Sequence, residues 1–122
     1  MTDHARDLCE HGFAIVRGFL DAATMAEVSA EIERVRAEGE KHHATHRDHN
    51  LLYEIVRDSV VGRPIVVQAH WFSWISPLLE RQRRHPRYLE VLEPFLGHSI
   101  KQVANQVHWK PPGAKYTSYR FH

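Results

Sequence analysis

Val103-Ala-Asn-Gln-Val-His-Trp-Lys-Pro-Pro-Gly-Ala-Lys-Tyr-Thr-Ser-Tyr-Arg-Phe-His122 decides how the chain is read. It reads as a strand over about Ser99 to Trp109, a turn at Pro111-Pro112-Gly113, and a second strand that stops on a histidine. No Gly, Pro or polar tail follows Phe121 and His122, and a natural domain rarely ends inside a strand pattern. The expectation is the front part of something longer. Side chains alternate along a strand, so Gln106, His108 and Lys110 share one face while Val103, Asn105, Val107 and Trp109 share the other. An amide, an imidazole and an ammonium suit a polar pocket, and a face that simply meets water fits the same pattern.

Charge favours the pocket. After Glu93 the sequence has no Asp or Glu, yet it carries Lys101, Lys110, Lys115 and Arg120. Such a field attracts a small anion, unless acidic partners come from sequence outside the chain. The whole molecule is not basic: its formal charge is +1, and nothing points to nucleic acid. At 122 residues, with 43% hydrophobic and 25% charged residues, it is at most one soluble domain with one core. One cysteine, Cys9, rules out an internal disulfide and fits a reducing compartment. No apolar run approaches the length of a membrane span, and Met1 to Glu10 lacks the apolar centre of a secretory signal. The expected location is cytoplasmic, with no membrane partner.

Upstream, Gly12 to Phe19 reads as a strand between glycines. Asp21 is a natural N-cap for a helix over Ala22 to Glu38, whose apolar stripe is Met25, Val28, Ile32 and Val35; Gly39 is its stop. Glu40 to Asn50 is polar and irregular. Leu51 to Val56 is a strand or a helical turn, Gly62 to Pro64 a break, and Ile65 to Val67 extended. Ser76-Pro77 starts a helix, and Pro86 restarts one that ends near Pro94 to Gly97.

Eleven histidines are unusual for this length. His42, His46 and His49 have i,i+4 and i,i+3 spacings that could grip a metal on a helix. No apolar stripe fixes a helix there, so a solvated loop is the simpler reading. A small His-rich metal-binding protein is the corresponding alternative. His70, His85 and His98 read as isolated structural residues, and Cys9 has no evident activator.

Gly-Phe-Ala-Ile-Val-Arg-Gly-Phe-Leu (Gly12 to Leu20) with its Asp21-capped helix resembles the opening of the phytanoyl-CoA dioxygenase family. Leu-Glu-Pro-Phe-Leu-Gly (Leu92 to Gly97), Gln-Val-His-Trp-Lys-Pro-Pro-Gly (Gln106 to Gly113) and Tyr119 to His122 resemble that family in order and spacing. Its members are non-haem Fe(II), 2-oxoglutarate-dependent oxygenases, in which a Lys-Pro segment precedes a His-x-Asp iron motif. The resemblance implies an α+β fold: N-terminal helices plus the first strands of an incomplete double-stranded β-helix, the cupin-like jelly-roll. Residues 1–122 would be the N-terminal part of one oxygenase domain, ending at the first iron-ligand histidine. His122 would be that ligand, Gln106 and Lys110 would contact the cosubstrate 2-oxoglutarate, and Trp109 and Tyr119 would be pocket walls. The partners implied are a small organic substrate and O₂, and the reaction is hydroxylation. The rest of the facial triad, two His and a carboxylate on one side of the iron, is not in this sequence, so the chain alone is expected to be inactive. A halogenase of the same family and a non-catalytic partner-binding homologue are the alternatives.

Overall fold

Helix α2, Ala22–Gly39, carries the helical half of the core. Asp21 caps it: one carboxylate oxygen accepts from the Thr24 amide at 2.7 Å. Val35 is fully buried, and Val28 and Ile32 pack beside it, as the stripe predicts. Met25, at the outer end of that stripe, is exposed. In this computed structural model residues 3–114 are described. The expected terminal strand, with Tyr119 and His122, lies outside the described residues.

The architecture is α+β. A four-stranded antiparallel sheet has the order β1-β2-β3-β4, with β1 His46–Asp48, β2 Leu51–Arg57, β3 Pro64–His70 and β4 Gln106–His108. His49 and Asn50 close the first hairpin, with His49 at positive φ. The second turns on Asp58, whose buried carboxylate accepts from the amides of Val60 and Val61. Gly62 takes a φ of +76° there.

One bulge decides which side chains reach which face. Glu54 lies opposite Gln68, but Ile55 lies opposite Val66, so Val67 is the extra residue in β3. The alternation of β3 inverts across it. Val66 and Ala69 join the core with Leu51, Tyr53 and Ile55, while Gln68 and His70 fall on the other face beside Glu54. The core is completed by Phe72, Leu79 and Trp109. Phe72 lies in the short 3₁₀ turn Phe72–Ile75 and Leu79 in α3, Pro77–Arg83. Ser76 caps α3, its hydroxyl accepting from the Leu79 amide.

Three local expectations are corrected. Gly12 to Phe19 is not a strand: Phe13 and Ile15 are exposed, and no ladder partner lies beside them among the described residues. A strand needs a neighbour for its amides and carbonyls, and local pattern does not supply one. The strand expected from Ser99 is only Gln106–His108, because its template β3 ends at His70. The Trp71 amide donates to Asn105 O at 2.6 Å, and Trp71 then turns out of the sheet at φ 54°. Gly39 ends α2 but without a left-handed turn. It sits against the Tyr53 ring, where a Cβ would meet Tyr53 Cδ1 at 2.6 Å.

Two helices lie apart from this core. Helix α1, Asp3–His11, contacts α4, Arg87–Leu96, and α4 has no buried residue. Arg87 ties α4 to the loop between α1 and α2 by donating to Gly18 O and Phe19 O, with its guanidinium over the Phe19 ring. Among the described residues no helix is long and apolar enough to cross a membrane.

Candidate functional site

On the sheet face away from the core cluster, Glu54, Gln68, His70, Gln106 and His108 form a polar patch, which the register sets beside Leu52, Val56 and Ile65. Strand β4 gives it Gln106 and His108, both exposed, while Val107 is half-buried and Trp109 buried. The period-two alternation predicted for this stretch therefore holds, and exposed Lys110 continues it. Val103 does not: it lies outside the strand and is exposed. Trp109 belongs to the hydrophobic core, and its indole Nε1 has no hydrogen-bond partner among the described residues.

Register adds residues from two further strands. His70 is paired with Gln106 and Gln68 with His108; Glu54 lies across from Gln68. The side chains form a chain of contacts. Gln106 Nε2 is 3.0 Å from His70 Nδ1, and His70 Nε2 is 3.2 Å from Glu54 Oε1. With the amide nitrogen turned inward, Gln106 donates to Nδ1, and Nε2–H donates to the Glu54 carboxylate. His70 is thus not an isolated structural residue. Its side chain is 22% exposed, shielded enough to favour one orientation, while Glu54 at 42% remains open to water.

The Lys110 ammonium, and the Gln106 amide once its N–H₂ is turned outward, are donor types that a carboxylate binds. The iron expected from the resemblance has a different standing. Among the described residues no group of three or more His, Cys, Asp or Glu is placed to hold a metal. His122 lies outside them. The described residues do not by themselves fit a ferrous ion.

The histidine-rich turn has another geometry than a chelate. Helix α2 ends at Gly39, so His42 and His46 are not on one helix; their rings stack with centroids 3.7 Å apart. Burial lowers the His42 pKa from its usual value, with repulsion from His46 as a second cause. His46 opens β1 instead, and His49 sits in the hairpin beside Trp74. His85 packs on Phe19 and accepts from the Arg87 amide, while His98 meets Glu93. Cys9 is an exposed thiol on α1.

Two open grooves lie elsewhere. One, about 520 Å³, is bordered by Trp71, Trp74, Arg83 and Arg84. The other, about 340 Å³, runs past Arg34, His42, His46 and Tyr53. Neither includes Gln106. Glu54 and His70 were missed by the sequence reading because β-pairing, not spacing, brings them to Gln106; a lone Glu in a strand pattern is the one available signal. No family model, curated protein or solved structure matches the chain.

Proposed function

We propose that this chain carries the cosubstrate face of an Fe(II)- and 2-oxoglutarate-dependent oxygenase that hydroxylates a small organic substrate. The fold proposed with it is the helical layer and first strands of a jelly-roll. The observation that carries the reading is the polar sheet face, with Gln106 hydrogen-bonded to His70 and Lys110 exposed beyond the same strand. The resemblance of the segment from Gln106 to Gly113 to the phytanoyl-CoA dioxygenase family supports it.

Each residue has a defined part. Lys110 supplies a compact positive charge for one carboxylate of a dicarboxylate. Gln106 fixes that carboxylate's orientation through its side-chain amide. The hydrophobic cluster behind β3 and β4, with Val66, Ala69 and Trp109, supports both strands. Iron, when bound to its ligands, supplies the oxidising chemistry, and His122 is the proposed ligand from this chain.

The test is 2-oxoglutarate binding by titration calorimetry, with and without Fe(II), alongside assay of succinate release. Saturable binding is expected, weakened about tenfold or more in Lys110→Ala, the scale of one lost charge-assisted contact. Succinate release is expected to be absent. Equal affinity in Lys110→Ala and wild type, both folded by circular dichroism, would sink the reading.

A second reading, a non-catalytic partner-binding module, is favoured by one observation. Strands β1 and β4 each pair on one side only among the described strands, and an unpaired edge can accept another strand. Size-exclusion chromatography separates the two: a concentration-dependent dimer without 2-oxoglutarate binding selects the module.

A further inference from the structure

Gln106 is an amide with two different ends, and the ring of His70 determines which end it keeps for itself. With His70 neutral, its Nδ1 is an acceptor, because Nε2–H is directed at Glu54 Oε1 at 3.2 Å. Gln106 must then point Nε2 inward, 3.0 Å from Nδ1, and its carbonyl oxygen faces out. A carbonyl repels a carboxylate. With His70 protonated, both ring nitrogens donate. Nδ1–H then requires an acceptor, the amide turns over, and Gln106 presents N–H₂ to the open face.

We infer that His70 and Glu54 are positioning residues that set the orientation of the Gln106 amide, so that a carboxylate ligand binds this face together with one proton taken up on His70. The inference rests on the cosubstrate reading above and adds to it a residue pair and a proton. The Glu54 carboxylate accepts from Nε2–H in both states, which leaves Nδ1 as the ring atom that changes role. The other charged and titratable groups facing His70 are His108 on β4, Arg47 on β1 across Leu52, and Lys110 beyond the end of β4. An incoming carboxylate adds the negative charge that accompanies the proton. No covalent step is involved: one proton moves from solvent to His70 Nδ1 as the ligand docks.

The experiment uses the 122-residue chain and 2-oxoglutarate as the probe. Calorimetric titrations in buffers of different ionisation enthalpy count the protons taken up. Above the pH at which His70 titrates, wild type is expected to take up close to one proton, and its affinity to fall by up to about tenfold per pH unit. His70→Asn, which keeps a hydrogen-bonding group, is expected to lose both the uptake and the pH slope, while His108→Asn keeps them. Uptake that survives His70→Asn, or binding without uptake in wild type, overturns the inference.

Nitrogen-15 NMR tests the relay without any ligand. At high pH His70 is expected to show a bare Nδ1 and a protonated Nε2. As His70 protonates, a Gln106 side-chain amide proton, assigned by its loss in Gln106→Ala, is expected to lose its hydrogen-bonded shift. A Gln106 amide indifferent to that titration overturns the inference. If the amide follows His70 but 2-oxoglutarate binds at no pH, the relay stands and the cosubstrate reading fails.

Discussion

At the scale of single residues, the contact between Gly39 and Tyr53 shows how one missing Cβ fixes the seat of a helix on a sheet. Tyr53 is buried, and its hydroxyl donates to Val35 O at 2.8 Å. Burial, the larger cause, and the nearby Glu38 push its pKa up to about 12, so it remains a donor at ordinary pH. The ring therefore has little freedom to retreat. An added Cβ at Gly39 would lie 2.6 Å and 2.7 Å from two ring carbons and 3.1 Å from Val66 Cγ2. In an exposed helix Gly→Ala stabilises by roughly 0.5–1 kcal/mol. Here overpacking, at roughly 1–3 kcal/mol, outweighs it. Gly39→Ala is expected to destabilise the protein, measured as a lower urea midpoint with an unchanged slope. A higher midpoint would show that the ring yields.

At the scale of elements, caps and periodicity were legible and partners were not. The helix from Ala22 was readable because its determinants are local: the Asp21 cap and the spacing of Val28, Ile32 and Val35. So was α3, since Ser76 and Pro77 act on their own turn. Strand extents failed because they depend on a template elsewhere in the chain: β4 stops where His70 stops, and Gly12 to Phe19 finds no ladder. Helix α1 carries no apolar stripe long enough to announce it, and its local signal is the Asp3–Arg6 pair at helical spacing. The candidate face was half legible: alternation gave Gln106 and His108, while Glu54 and His70 needed the bulge at Val67. Ser76 offers an element-scale test. It is buried, caps α3, and its hydroxyl helps hold Glu31 of α2, after the stronger effect of Arg34. Ser76→Ala is expected to cost about 1 kcal/mol in chemical denaturation and to move the Glu31 pKa up from about 2. NMR titration of the Glu31 side chain checks the second effect, and an unmoved Glu31 would remove Ser76 from that link.

At the scale of the whole molecule, acid acts on a depressed carboxylate in each of α2 and α3. Glu31 is held at about 2 by Arg34 first, and Glu80 at about 2 by Arg83 first, against an ordinary 4.5. Both values are depressed in the folded state, so their contribution is fully present above about 4.5 and is lost as pH falls toward about 2. The melting temperature is expected to fall across that window, and less so in Glu31→Gln. An equal fall in both proteins would assign the acid lability to other groups.

The same molecule holds a second, weaker layer, because the hydrophobic cluster draws on α2, the sheet, the 3₁₀ turn and α3 but on neither α1 nor α4. Helix α1 buries only Ala5, α4 buries nothing, and α4 is held to the chain by Arg87, by Phe19 against Tyr88 at 4.7 Å and by α1. Segments with few buried apolar contacts open at low free energy, independently of the core. Hydrogen exchange is therefore expected to be slow in α2, β2 and β3 and faster in α1 and α4. Arg87→Ala removes the donor to Gly18 O and Phe19 O together with the cation over the Phe19 ring, and it should speed exchange in α4 and the Phe19 loop alone. Rates in β2 and β3 that rise in step with α4 would mean one cooperative unit, with the outer helices locked to the sheet by contacts stronger than their burial implies.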